Sequence, residues 1–159
     1  MKRVLVAGGL LLALTLPNVA IWQKERTVAS GTPMLLELAP VDPRSLMQGD
    51  YMRLDYAIAR SIDEQRGWPR DGLLVVSLDS TGVARFVRRH DKYVPLGTGE
   101  RLLRYRLRDN RVRVGSNAFH FQEGRADRFA RARFGELRVD AQGTSVLVGL
   151  RDANRVALH

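Results

Sequence analysis

The chain contains no cysteine and only three lysines, at positions 2, 24 and 92. The first absence excludes disulfides, thiolate metal sites and cysteine nucleophiles. It says little about compartment, because 159 residues bury enough core to do without cross-links in an oxidising space. The second leaves 23 arginines among 26 basic residues, a bias that a GC-rich genome explains without any ligand. Aromatics are scarce at 7%. The arginines are spread along the chain rather than blocked, so nucleic acid is not an expected partner. A net charge of +9 still favours an anionic surface such as lipid head groups.

Other chemistry is thin as well. His90, His120 and His159 are isolated, with no second ligand at metal spacing, so neither a metal nor a cofactor is expected. His120 stands between Phe119 and Phe121 and points away from them in a strand. Its plain reading is an exposed or ordinarily hydrogen-bonded side chain. No spacing among Asp42, Asp50, Asp55, Asp63, Glu64, Asp71 and Asp91 selects an acid–base pair. There is no glycine-rich phosphate loop and no nucleophile elbow. No catalytic residue is assigned.

The chain begins with Met1-Lys2-Arg3. Val4 to Trp22 then carries no charge over 19 residues, and Lys24, Glu25 and Arg26 close the run. That is about the length a helix needs to cross a bilayer core, ~20 residues. Trp22 stands where an interfacial aromatic belongs, and Pro17 is tolerated in such helices. A cleaved signal would need small residues at −3 and −1. Asn18 and Ala20 fit poorly, and Val28 and Ser30 lie well beyond the apolar run. Residues 1–23 are therefore read as a cytoplasmic start and uncleaved signal anchor, residues 24–33 as a tether, and residues 34–159 as one domain. The basic start predicts the amino terminus in the cytoplasm and the domain outside, which in a bacterium is the periplasm.

Beyond the tether, Met34–Ala39 reads as a strand with Met34, Leu36 and Leu38 on one face. Tyr51–Ala59 alternates, with Met52, Leu54, Tyr56 and Ile58 on the core side and Tyr51, Arg53 and Asp55 opposite. Arg60–Arg70 reads as a polar loop. Three hairpins follow from alternation and turn residues. The first joins Gly72–Leu78 to Val83–Arg89. The second joins Arg101–Arg108 to Arg111–Val114 and carries an arginine face. The third joins Glu136–Asp140 to Val146–Leu150. Ala118–Phe121 is a short strand. Arg125–Phe134 shows helical spacing, and the tail from Arg151 is expected to fray. The fold expected is mainly β (β-rich α+β): an N-terminal transmembrane helix, then an antiparallel-sheet domain with one short helix.

At Gly49-Asp50-Tyr51-Met52-Arg53-Leu54-Asp55-Tyr56 the chain fits the pattern G-D-Y-x-x-L-x-Y. It resembles the bacterial GDYXXLXY family, named after that motif. Asp42-Pro43-Arg44-Ser45-Leu46 is similar to the family's approach segment. Ala118-Phe119-His120-Phe121-Gln122-Glu123-Gly124 is similar to a later segment of the form aromatic-Phe-Val-Pro-Glu-Gly, departing from it at His120 and Gln122. The resemblance implies a membrane-anchored protein of unassigned function, with members encoded beside or fused to multi-spanning membrane proteins. It implies that Gly49, Asp50, Tyr51, Leu54 and Tyr56 matter and supplies no catalytic residue. A second likeness, to type I signal peptidases at Pro43, Leu46 and Gly49-Asp50, fails at the chemistry. Pro40, Val41 and Asp42, with no serine, stand directly before Pro43, and Lys92, the one lysine in the domain, falls in a loop.

The expectations are then three. The first is a non-enzymatic accessory module that meets a multi-spanning membrane protein through a surface patch of Asp50, Tyr51, Arg53 and Asp55. The second is a module that binds anionic envelope lipid or polymer through the arginine face. The third is a peptidase-like hydrolase, for which no site is assembled.

Overall fold

A computed structural model describes residues 2–39, 47–48, 51–63, 67–109 and 111–159, with the side chains of the first helix described from Gly9. That helix, α1, runs from Lys2 to Ser30. It continues through the polar stretch read as a tether, where the Thr27 and Ser30 hydroxyls donate to the carbonyls four residues back. Gly31 ends it, its amide donating to the Thr27 carbonyl. A Cβ on Gly31 would lie 2.4 Å from that oxygen and 3.0 Å from the Val139 nitrogen. Glycine is therefore what lets the helix end dock on the sheet.

Three antiparallel sheets follow. Strands β1 (Thr32–Glu37), β9 (Phe134–Val139), β10 (Ser145–Arg151) and β11 (Ala157–Leu158) form the first, in the order β1-β9-β10-β11. The second is β2 (Met47–Gln48), β3 (Tyr51–Arg53) and β8 (Ala118–His120), with β3 in the middle. The third has the order β5-β4-β6-β7, from β4 (Asp71–Leu78), β5 (Ala84–Arg89), β6 (Glu100–Arg108) and β7 (Arg111–Val114). A parallel bridge from Leu35 to Val83 links the first sheet to the third, and an antiparallel bridge from Leu38 to Tyr56 links it to the motif segment. One core fills the space between, with Leu36, Ile62, Leu74, Val76, Leu103 and Leu137 wholly buried.

The mainly β antiparallel class is as expected, and the three hairpins form. Three of the tight turns share one device. The carboxylates of Asp79, Asp140 and Asp152 each accept from the amides two and four residues on: Thr81 and Val83, Gln142 and Thr144, Asn154 and Val156. Such Asx turns close the chain locally before any sheet forms. The third turn returns Ala157–Leu158 onto Leu150–Arg151, so the tail is a strand rather than a frayed end.

Other expectations need correction. The motif strand stops at Arg53, and Ala57–Asp63 is a helix, α2. Ile58, Ala59 and Ile62 are its buried face. Ala57 and Ala59 favour helix, and the i, i+4 spacing of Ile58 and Ile62 supplies the apolar stripe. The later helix, α3, spans only Ala126–Phe129. Phe134 belongs to β9 instead, where pairing with Glu37 and Arg151 outweighs its helical spacing.

The membrane expectation meets a coarser finding. Among the described residues, no helix is long and apolar enough to cross a membrane. In α1 the described side chains run from Gly9. The stretch from there to Trp22 falls short of the ~20 residues a span takes.

Candidate functional site

The motif strand β3 lies between two partners. Gln48 faces Tyr51 and Met47 faces Met52 on one side; His120, Phe119 and Ala118 face Tyr51, Met52 and Arg53 on the other. The two stretches that resemble the family are thus adjacent strands of one sheet. Gly49 and Asp50 lie outside the described residues, as do Asp42, Ser45 and Glu64.

The segment divides by burial. Met52, Leu54 and Tyr56 are each 2–3% exposed. The Leu54 amide donates to the Asn117 carbonyl at 2.9 Å, and the Asp55 carbonyl accepts from Ala39 at 2.8 Å. Both bonds continue the chain's extended pairing after β3 has ended. The Tyr56 hydroxyl donates to the Ser116 carbonyl at 3.0 Å. Its ring lies against Gly135, the second residue of β9, where an added Cβ would stand 3.0 Å from the ring and 3.3 Å from Leu147. Gly115 takes a positive φ of 60° beside the same ring. An aromatic covering a strand glycine replaces the side chain that the glycine lacks. Burial pushes the Tyr56 phenol well above its ordinary value.

The outward half is built differently. Tyr51 is half-buried, and its ring meets that of His120 at 5.7 Å between centroids, tilted by 41°. Arg53 and His120 are exposed. Asp55 accepts from Arg60 of α2 at 3.0 Å, an exposed pair of small energetic weight. Beyond His120 the surface dips into a groove of about 360 Å³ between β8 and the strands β10 and β11. Phe119, Phe121, Phe129, Leu150 and Leu158 line it, with Glu136 at the wall. Glu136 accepts from Arg151 Nε at 2.8 Å. That hydrogen bond holds the Glu136 carboxyl below the usual range. The groove therefore offers an apolar floor and one paired carboxylate, next to an aromatic and cationic rim.

Other residues singled out in the sequence stand apart. His90 lies at the end of β5, away from the motif, and its amide donates to the Leu73 carbonyl. Lys92 is exposed and stacks on Tyr93. Asp71 and Asp91 are exposed, at the start of β4 and in the loop after β5. Among the described residues, no group of three or more His, Asp or Glu side chains is gathered for a metal ion. Gly135, Gly115 and the Glu136–Arg151 pair were not anticipated. Gly135 reads in the sequence as the stop of a helix over Arg125–Phe134; with the strand starting at Phe134 it is instead a strand glycine, which marks a close approach.

A family model described as GDYXXLXY protein matches residues 13–150. No curated protein and no solved structure matches the chain.

Proposed function

The chain belongs to the GDYXXLXY protein family, and from that premise we propose that it is a single-pass membrane protein whose β domain acts as a non-enzymatic interaction module for a membrane-protein partner. The observation that carries the reading is the division of the motif: one half is committed to the core, while Tyr51 and Arg53 reach the surface, Tyr51 against the ring of His120, which lines an apolar groove. Tyr and Arg are the side chains that most often anchor protein interfaces. The groove beside them suits an apolar side chain of the partner.

Anchoring rests on the character of α1. Leu10, Leu11, Leu12, Leu14 and Leu16 are 59–70% exposed, and no face of the helix is covered by the domain over that stretch. A helix apolar on all sides needs burial, and here the lipid supplies it. Val4–Ala7 extend the apolar run to a spanning length. Lys2 and Arg3 keep the amino terminus in the cytoplasm, which places the β domain in the periplasm of a bacterium, at its inner membrane.

Affinity capture of the full chain from membranes after mild crosslinking tests the partner, comparing wild type with Tyr51→Ala. The expected result is a specific membrane protein recovered with wild type and lost with the variant at unchanged fold. Recovery of the chain alone from wild type, or equal recovery from both, overturns the reading. Alkaline extraction tests the anchor: the chain stays with the lipid pellet if α1 spans, and is released if it does not.

A further inference from the structure

The second hairpin of the domain concentrates arginine on one face. The pleat sends Arg104, Arg106 and Arg108 of β6 to the same side. The register with β7 then sets Arg106 directly opposite Arg113 and Arg108 opposite Arg111. Like charges directly opposite one another destabilise a strand pair. Two half-buried arginines elsewhere meet carboxylates, in Arg88–Glu100 and Arg151–Glu136. Among the described residues, no carboxylate lies within salt-bridge distance of any of these five guanidinium groups. Asp71 opposes Arg106 across β4 and Asp109 sits at the turn, yet neither closes an ion pair.

These arginines line a groove. Arg104, Arg106, Arg108 and Arg113 bound a space of about 530 Å³ together with Asn117, Thr144 and Ser145, within the size range of ligand sites. The far wall is the β9–β10 turn, and it is pinned in place. The Gly143 carbonyl accepts from the Arg104 amide at 2.8 Å. Gly143 has a φ of +81°, and a Cβ there would lie 3.1 Å from the Arg104 nitrogen. The backbone thus fixes the turn that brings Thr144 and Ser145 to the groove wall.

One wall of the groove lies near the point where α1 joins the sheet. Thr32, two residues beyond α1, pairs with Val139, and Val139 pairs with Ser145. Two strand spacings, about 10 Å, separate Thr32 from the groove wall. If α1 spans, that wall faces the head groups of the leaflet from which it emerges. Guanidinium forks bind phosphate oxygens in pairs, and hydroxyls complete the shell.

We infer that this arginine groove binds the phosphate of anionic lipid head groups in that leaflet, a site separate from the motif face. The inference rests on the anchored reading for its lipid source. Native mass spectrometry of the full chain released from neutral maltoside micelles tests it. The micelles are doped with palmitoyl-oleoyl phosphatidylglycerol, with the zwitterionic phosphatidylcholine, or with inorganic phosphate. Wild type is expected to retain the anionic lipid about ten-fold more tightly than the zwitterionic one. Arg106→Gln/Arg113→Gln is expected to lose about ten-fold in that affinity with an unlowered thermal midpoint, because opposed like charges have been removed. Arg104→Gln is a second variant expected to weaken retention. Arg125→Gln/Arg131→Gln removes the same charge from another surface and is expected to change nothing. Equal loss in that control, or no preference for the anionic lipid, overturns the site. Inorganic phosphate held as tightly as the lipid overturns the lipid source. The micelle assay does not depend on whether α1 spans, so its failure is distinct from failure of the alkaline extraction.

Discussion

The inner and outer halves of the motif segment are neighbours in sequence and opposites in physics. Leu54 and Tyr56 are 2% exposed and tied to the backbone carbonyls of Asn117 and Ser116. Tyr51 and Arg53 lie just before them in β3, but their side chains stand at the surface, Tyr51 against His120. Period-2 geometry alone separates the two sets. A motif defined by identity mixes positions that hold the fold with positions that a partner meets, and only burial separates them.

The largest expected effect breaks the inner half. Tyr56→Ala removes a buried ring and leaves Gly135 uncovered, and should cost about 3–5 kcal/mol, read as a lower urea midpoint. Gly135→Ala attacks the same contact from the other side, since its Cβ would stand 3.0 Å from the ring; overpacking should cost about 1–3 kcal/mol. Tyr56→Phe removes only the hydroxyl bonded to the Ser116 carbonyl and should cost about 1 kcal/mol.

The pH dependence sharpens the comparison. Tyr56 has a folded pKa raised above its ordinary 10.0. Its contribution is therefore intact below pH 10.0 and lost as pH rises above that value, because only the unfolded chain ionises easily. Wild type should lose stability in alkali more steeply than Tyr56→Phe in thermal melts at stepped pH. Glu136 and Asp79 have folded values lowered from 4.5 and 3.8, by hydrogen bonds from Arg151 and from Thr81. Their contributions are present above those ordinary values and lost as pH falls through the folded ones. Glu136→Gln should flatten the acid limb of the same melts.

The smallest effect on stability belongs to the outer half. Tyr51→Ala should cost about 1 kcal/mol, because it loses the cross-strand ring contact with His120, and Arg53→Ala less than about 0.5 kcal/mol, each abolishing partner recovery. A thermal midpoint for Tyr51→Ala as low as that of Tyr56→Ala would erase the distinction between the halves.

How far the sequence anticipated this follows from which forces are local. The hairpins were legible because alternation and an aspartate turn coincide at Asp79 and at Asp140. The same turn at Asp152 was missed because only Ala157 and Leu158 follow it, too short a run to alternate. Ile58 fits both a period-2 strand and a helical stripe, so the end of the motif strand turned on α2 packing against β7 and β1. The core side of Met52, Leu54 and Tyr56 was readable from alternation. Their partners were not. The apposition of β3 with β8 and the aromatic cover on Gly135 are contacts between residues more than sixty positions apart, which periodicity does not encode.

The division of the motif is tested most directly by a photo-crosslinking side chain at a single surface position in the full chain, in native membranes. Tyr51→p-benzoylphenylalanine places the probe on the outer half. Tyr93→p-benzoylphenylalanine, at a side chain 80% exposed in the loop after β5, is the control. The account expects a discrete adduct with a membrane protein from position 51 and none from position 93. No adduct from position 51, or the same adducts from both, would contradict it.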